Sequence, residues 1–359
     1  MKTYAHHGLL IAALLTGSVQ AANYTVTTAF DSGPGSLRAI LTVANGVAGP
    51  HSICFTNTGY FSAGGTINLT SELPAIVQST TITGWRNAGS SANAITISGS
   101  RLVFAGGTTN SLQQLNINNS VDNYSVDNSG TLTVGGCAIG GGGIVSRSAL
   151  QLLSSSVSSS PGAGIWNSGN ATLNDVSVSS CADHGIYSQG TMAVANSLIV
   201  GNRTSAQGAG IYSSGSLQLT GCQIVGNTAT NAATDGIGGG LYNSGTAVIS
   251  ETTISKNFAA YCFGGGVYNK GQISLLSCLV VSNSVVGQAG FWPNGGGAGG
   301  FGGGLYTTVG SAFLTNTTFF GNSTTGGLGA VGASLSYDGN AGSRGGGPLG
   351  GTGGAPGNI

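Results

Sequence analysis

One short phrase recurs six times in the second half of this chain, and this repetition constrains the fold more than any other feature. The phrase begins with glycine, continues with an aliphatic and an aromatic residue, and ends with glycine a few positions later. Its copies begin at Gly164, Gly185, Gly210, Gly240, Gly266 and Gly304. The copies are unequally spaced, so a fixed core tolerates insertions of variable length. This is typical of a solenoid.

Each repeat contains three short segments with the period-2 alternation of half-buried strands. In the repeat that starts at Gly240, these segments are 240–243, 247–249 and 252–254. Strands of this kind, wound coil on coil, predict an all-β fold, a single-stranded parallel β-helix. The crossover rule for parallel strands predicts that it is right-handed.

Stacked coils align equivalent residues into columns. The aliphatic residues of the phrase are predicted to point inward and the aromatic residues outward: Trp166, Tyr187, Tyr212, Tyr242, Tyr268 and Tyr306. A second column, with Cys181 in place of Asn in an earlier coil, is predicted to form a ladder of side-chain hydrogen bonds: Asn202, Asn227, Asn257, Asn283 and Asn322. The glycines that follow the phrase are expected to supply a positive φ at a corner: Gly169, Gly190, Gly215, Gly245, Gly271 and Gly310.

The N-terminal residues predict export. Lys2, an apolar run over 9–15 and small residues around Ala21 indicate a signal peptide over 1–21. The apolar run is too short to span a bilayer. Residues 22–61 are predicted to form a cap of one strand and one short helix with Ser36 as its N-cap, which covers the open end of the solenoid.

The β-helix is then expected over 62–325, followed by a Gly-rich flexible tail over 326–359. Composition excludes one class of partner. Only 5% of the residues are charged and the formal net charge is zero, so no basic patch is available to bind nucleic acid.

Three of the six cysteines, Cys137, Cys222 and Cys278, share a column that Ser or Thr occupies in other repeats. Cys222 and Cys278 are predicted to lie two rungs apart, about 9–10 Å at about 4.8 Å per rung, which is too far for a disulfide. Buried free thiols are therefore expected. Cys181 and Cys262 fall at turns, where the sequence leaves their redox state open.

The chain resembles bacterial right-handed parallel β-helix surface proteins. The opening from Tyr24 to Asn45 resembles their N-terminal cap, and Gly65–Pro74 resembles the coil that follows it. The repeats, together with Phe319-Phe-Gly-Asn322, resemble those of polymorphic outer-membrane proteins and autotransporter passengers. The resemblance covers roughly 23–325. It implies the fold but not one function, because adhesins, structural surface proteins and polysaccharide-degrading enzymes share this scaffold.

The only candidate catalytic cluster is Asp183, His184 and Arg203, which neighbouring turns could bring within about two rungs of each other. An acid, an imidazole and a guanidinium could perform lyase or hydrolase chemistry, but a surface ion pair at a turn is the favoured interpretation. No metal site and no cofactor is predicted.

Two surfaces could bind a partner. The aromatic column could offer rings to sugars, although mutual stacking is the favoured interpretation. The length differences between repeats fall at 203–209, 228–238, 258–264 and 284–302, which are predicted to be loops along one edge of the solenoid. They carry aromatic residues predicted to anchor a partner: Phe258, Tyr261, Phe263, Phe291, Trp292 and Phe301.

Two functions follow from this sequence. The preferred one is an exported, non-enzymatic β-helix at the cell surface or outer membrane, with an adhesive or envelope-structural role. Its partner would be a host or matrix surface protein or a polysaccharide. The alternative is a secreted polysaccharide lyase or hydrolase of the pectate-lyase-like type.

The predicted register is testable at Ile211, which should lie beside Leu241 in the core. Ile211→Asp would bury an unpaired charge and should unfold the local coils. The measurement is hydrogen exchange of the neighbouring amides. A soluble variant with wild-type protection would contradict this register.

Overall fold

The computed structural model describes residues 21–87, 89–230, 238–261, 263–287 and 299–326, and the backbone of 346–347 and 350–351. Over this part the chain is an all-β right-handed parallel β-helix, which confirms the predicted fold class. Each coil adds one strand to each of several parallel sheets. Most of the predicted signal peptide and of the predicted tail lies outside the described residues.

We name the sheets A to D in the order in which one coil visits them. Sheet A has nine strands: Leu102–Phe104, Tyr124–Asn128, Gly143–Ser146, Ile165–Asn167, Ile186–Ser188, Ile211–Ser213, Leu241–Asn243, Val267–Asn269 and Leu305–Thr307. Sheet B has twelve: Ala22–Val26, His51–Phe55, Thr80–Thr83, Thr109–Gln113, Thr131–Gly135, Ala149–Leu153, Asn170–Asn174, Thr191–Ala195, Ser216–Thr220, Thr246–Ser250, Gln272–Leu276 and Ser311–Thr315.

Sheet C has eleven strands: Gly65–Asn68, Ile95–Ser98, Leu115–Asn118, Ala138–Gly140, Ser156–Ser158, Ser177–Ser179, Leu198–Val200, Gln223–Val225, Thr253–Ser255, Leu279–Val281 and Thr318–Phe320. Sheet D has five: Arg203–Thr204, Thr228–Thr230, Phe258–Ala260, Ser284–Val286 and Ser323–Thr325. A small antiparallel pair, Gly346–Gly347 with Gly350–Gly351, lies outside these sheets.

The N-terminal segment closes one end of the core. The helix spans Leu37–Asn45, and the Ser36 side chain caps it by accepting a hydrogen bond from the Ala39 N–H, as predicted. Leu37 and Leu41 are fully buried in the core. Arg38 donates to Asp31 and to the backbone carbonyl of Ser71, so it ties the helix to the first coil.

A short 3₁₀ helix spans Gly59–Phe61. None of the helices in the described part of the chain is both long and apolar enough to cross a membrane.

The aliphatic ladder has the predicted register. Ile211 pairs with Ile186 on one side and Leu241 on the other, and all three side chains are fully buried. Repetition of this contact along the coils produces one continuous core.

The predicted asparagine ladder is present, with Asn202, Asn227, Asn257 and Asn283 fully buried and Asn322 partly buried at its end. In each coil the side-chain oxygen accepts bonds from both the backbone N–H and the side-chain amide of the preceding asparagine. Asn227 accepts both bonds from Asn202 at 3.0 Å, while its own Nδ2 donates to Asn257 at 3.0 Å and to the Ile199 carbonyl at 3.1 Å. Cys181 joins the ladder through its backbone N–H, which donates to Asn202.

A second buried ladder follows the strands of sheet A and was not predicted. Asn243 donates to Asn269 at 2.8 Å, and Asn167 donates to Ser188 at 3.1 Å. Each of these amides also donates to backbone carbonyls at the corner between sheets A and B, for example Asn269 to Gly271. This corner is therefore fixed from inside the core.

The expectation of three strands per coil is wrong from Arg203 onward, where sheet D adds a fourth. The segments predicted as loops at 203–209, 228–238, 258–264 and 284–302 each begin with one of its strands. The asparagine ladder turns the chain, and small residues then point inward on the far side of the ladder. Ala209, Ala229, Ala259 and Val285 form a separate buried cluster there.

The expected positive φ at the corner glycines is also wrong. None of Gly169, Gly190, Gly215, Gly245, Gly271 and Gly310 is in the left-handed region. Their constraint is steric, because a β-carbon at Gly245 would lie 2.0 Å from the Gly215 carbonyl oxygen of the preceding coil. Positive φ occurs instead at the corner between sheets B and C, at residues such as Ser154, Asp175 and Asn196.

The cysteine column is confirmed. Backbone N–H groups in this column donate to the hydroxyl one coil further on, from Cys137 to Ser155 and from Cys222 to Thr252. Cys137, Cys181, Cys222 and Cys278 are free and buried, and Cys54 is free and exposed. Cys262 lies outside the described residues. Burial raises the pKa of the Cys137 thiol to about 11, so this thiol stays protonated at neutral pH.

The asparagine ladder leads to a stability prediction. Asn227→Ala removes four hydrogen bonds and takes the side-chain partner from the buried Asn202 N–H and from the Ile199 carbonyl, whereas Asn257 keeps the bond from the Asn227 backbone N–H. At about 1–3 kcal/mol for each buried unsatisfied group, we expect a loss of about 3–5 kcal/mol in the free energy of unfolding. Urea unfolding measures it, with Gln218→Ala on an exposed position of the same coil as control. A loss as small as the control's would show that the ladder is not a main source of stability.

Candidate functional site

The outer face of sheet A carries a continuous stack of aromatic rings. Trp166, Tyr187, Tyr212, Tyr242, Tyr268 and Tyr306 follow one another with ring centroids 4.6 to 6.4 Å apart and planes 5° to 24° from parallel. The rings therefore face each other along the solenoid axis. A sugar would need a free ring face, and each inner ring of the stack already has a ring on both faces.

The middle of this stack is closed to solvent. Tyr242 is 5% exposed and Tyr268 is 2% exposed. Desolvation raises the pKa of Tyr242 to about 12, so this phenol stays neutral at physiological pH. These two positions lie on the outer face, as predicted, but they are buried there.

His184 and Asp183 lie against the open part of the stack. The His184 ring contacts the edges of Tyr187 and Tyr212, with centroids 5.2 and 5.9 Å apart, and is buried. Its Nδ1 atom is 2.8 Å from Asp183 Oδ1, although the contact is not aligned as a regular hydrogen bond. The Thr204 hydroxyl donates to the same oxygen at 2.7 Å.

The imidazole contact lowers the pKa of Asp183, and the Thr204 hydroxyl adds to this shift against the opposing effect of desolvation. The predicted cluster is thus only partly assembled. Arg203 precedes Thr204 in the first strand of sheet D, and alternation turns Arg203 outward while Thr204 points inward. Arg203 is exposed and makes no ion pair with a described residue. Thr204 was not predicted, because its approach to Asp183 depends on the register between two coils.

Nor do the described residues bring together a metal centre. No group of three or more His, Cys, Asp or Glu side chains is placed to hold an ion within them. The rings packed against His184 leave the imidazole little access to a substrate.

The aromatic residues predicted to line the binding edge are placed differently from one another. Phe258 is a partly buried member of a sheet D strand, and Tyr261 follows that strand with φ of 77°. Phe263 stacks on Phe301 and Tyr306 at 5.4 and 4.6 Å, so both phenylalanines extend the aromatic stack. Phe291 and Trp292 lie outside the described residues. Binding by this edge stays a prediction.

A groove that the sequence did not predict runs along the corner between sheets B and C. We call it the corner groove. Its volume is about 610 Å³. One side is formed by the positive-φ corner residues, including Ser154, Asp175 and Asn196, and the floor by the outward positions of sheet C, including Ser156, Ser177 and Gln223. Arg86 and Asn93, joined by a bridge between their backbones, contribute to one end.

Comparison with known proteins identifies a family. The sequence model described as right handed beta helix region matches residues 161–341, just over half of the chain. No curated protein matches the chain.

Similar solved structures include the following three. The A-module of a mannuronan C-5 epimerase of Azotobacter vinelandii is 11% identical, with a TM-score of 0.46, over 83% of this chain and 96% of that chain. A pectate lyase is 15% identical, with a TM-score of 0.29, over 91% and 82%. A protein of Geobacillus virus E2 is 13% identical, with a TM-score of 0.27, over 82% and 60%.

The environment of Asp183 predicts a pH dependence. A lowered pKa in the folded state stabilises the fold above the unfolded value of about 3.9, and this contribution is lost as the pH falls through the folded value. The side chain is 44% exposed, so we expect a contribution below about 1 kcal/mol.

Urea unfolding of the wild type and Asp183→Asn at pH 5 and pH 3 measures this contribution. The free energy of unfolding of the wild type should exceed that of Asp183→Asn by less at pH 3 than at pH 5. The same comparison made in a Thr204→Val background should give a smaller difference at pH 5, because the hydroxyl that donates to Asp183 is absent. An advantage that does not change with pH would contradict the assignment.

Proposed function

Because this chain belongs to the right-handed β-helix family, we propose that it is an exported, non-enzymatic β-helix protein of the cell surface or outer membrane, with an adhesive or envelope-structural role. The observation that carries the proposal is that His184 and Asp183 are engaged by neighbouring side chains of the protein. His184 is buried against two stacked tyrosines and its acidic neighbour is engaged by Thr204. Groups with these contacts stabilise the stack and are poorly placed to reach a substrate.

The distribution of polar interactions supports a structural role as well. Two buried amide ladders and a stack of six rings join successive coils. These features stiffen an elongated scaffold, and repeat scaffolds provide extended surfaces for binding. The finer assignment, to proteins like polymorphic outer-membrane proteins or autotransporter passengers, is part of the proposal and comes from the repeats and the N-terminal cap sequence.

Export and partner belong to the same proposal. The apolar run over 9–15 and the small residues before Ala22 support cleavage near Ala21 and secretion. The partner would be a host or matrix surface protein or a polysaccharide. The predicted binding edge, which includes Phe291 and Trp292, is one surface for it.

A secreted polysaccharide lyase or hydrolase is the second candidate. The contact of 2.8 Å between His184 and Asp183 favours it, because a paired acid and imidazole can serve as a general base. Against it stand the burial of the imidazole and the outward orientation of Arg203.

A cleavage assay separates the two candidates. We expect the purified chain to release no product from polygalacturonate, alginate or other acidic polysaccharides, with or without calcium. Reducing-end release and absorbance of unsaturated products measure hydrolysis and elimination. Cleavage by the wild type that His184→Ala abolishes would establish the enzyme instead. Thr191→Ala, on an exposed side chain of sheet B in the same coil, is the matched control.

A further inference from the structure

The corner groove owes its shape to the way the backbone turns between sheets B and C. From Gln114 onward, one residue with positive φ makes the turn in each coil. It is glycine at Gly136 and Gly221, whereas Ser154, Asp175 and Asn196 project exposed side chains outward. The next residue points into the core, as Ser155 and Val176 do. The first strand position of sheet C points outward again. A notch remains between two rows of projecting side chains and continues from coil to coil.

The notch presents unpaired polar groups. Within the described part of the chain, the side chains of Ser156, Ser177 and Gln223 make no hydrogen bond, although their backbones belong to sheet C. Asn196 donates to Asn174 at 3.1 Å, which leaves its side-chain oxygen as an acceptor. Hydroxyl and amide groups can both donate and accept, and this is the property needed to bind the hydroxyl groups of sugars.

The charges of the groove cancel. The Arg86 guanidinium lies against Gly136 at one end, and Asp175 lies two coils further along the same corner, about 10 Å away at about 4.8 Å per rung. Arg38, Arg101 and Arg147 each pair with an acidic side chain, whereas Arg86 has no acidic partner among the described residues. One positive and one negative charge give a polyanion no net attraction.

We propose that the corner groove binds a strand of neutral polysaccharide, which lies across successive coils. The rung spacing of about 4.8 Å repeats similar polar groups at short intervals, so a polymer can repeat the same contacts as it crosses the coils. This site lies on a different face from the aromatic stack and from the predicted binding edge. It deepens the proposed function, which includes a polysaccharide as a partner. The two can fail separately, because binding in the groove and cleavage of a polymer are separate measurements.

Affinity electrophoresis of the full chain tests this site. Native gels contain galactomannan, barley β-glucan, xyloglucan or hydroxyethylcellulose as neutral probes, or polygalacturonate as a polyanion. Ser177→Trp fills the groove, and Thr172→Trp places the same ring on the exposed face of sheet B in the same coil. Gln223→Ala removes one amide, with Gln218→Ala as its control. Circular dichroism checks the fold of each variant. If Ser177→Trp does not fold, the comparison of Gln223→Ala with Gln218→Ala provides the test.

We expect at least one neutral polysaccharide to retard the wild type and both controls. The groove variants should bind it about tenfold more weakly, which is the effect of losing one or two hydrogen bonds of about 1 kcal/mol each. Three results would overturn the inference: no retardation by any neutral probe, groove variants that bind as well as their controls, or retardation by polygalacturonate alone that Arg86→Ala abolishes.

Discussion

Hydrogen bonds between buried asparagine side chains are the interactions on which the rest of this structure depends. A strand ladder satisfies the backbone along a strand, but each coil must also turn, and a buried turn leaves N–H and C=O groups without partners. The Asn227 side chain serves the backbone of the preceding coil, the carbonyl of Ile199 and the amide of Asn257 at once. The turns can therefore be buried without water, and the register between coils is fixed at the same point.

Each of the two amide ladders stabilises a different corner of the coil. The ladder of Asn202, Asn227 and Asn257 separates the main core from the small cluster of alanine and valine beneath sheet D. The ladder that contains Asn243 and Asn269 fixes the turn into sheet B. The aromatic stack lies outside this second ladder. Successive residues of a strand point to opposite faces. In each sheet A strand the aliphatic residue and the amide residue point into the core, so the aromatic residue between them points outward and stacks on the ring of the next coil.

The sequence was sufficient for the features that repeat with the same residue type. Identical residues at a nearly constant offset from the phrase predicted the coils and the asparagine ladder. The second ladder was missed because Asn, Ser and Thr alternate in it. Sheet D was missed because each strand is short and follows a turn. The role of the corner glycines was misjudged because close approach of a carbonyl and a positive φ both select glycine.

The candidate sites show the same limit. Asp183 and His184 are neighbours in the sequence, so their pairing could be foreseen, but Thr204 and the two tyrosines reach them only through the stacking of coils. The corner groove could not be foreseen from the sequence. Its corner residues, Gly136, Ser154, Asp175 and Asn196, share a positive φ but not a residue type. Its Arg86 end comes from a distant part of the chain.

The close packing of glycines at the corner between sheets A and B restricts where residues can be inserted into a coil. The missing β-carbon of Gly245 leaves room for a carbonyl oxygen of the preceding coil, and the same holds for Gly215 and Gly271. From Thr131 onward, the corner between sheets B and C is similarly short, with two residues between the strands. Between Tyr124 and Val286, chain length therefore varies from coil to coil only after sheet C, so these coils can diverge along one edge while the other faces keep their shape.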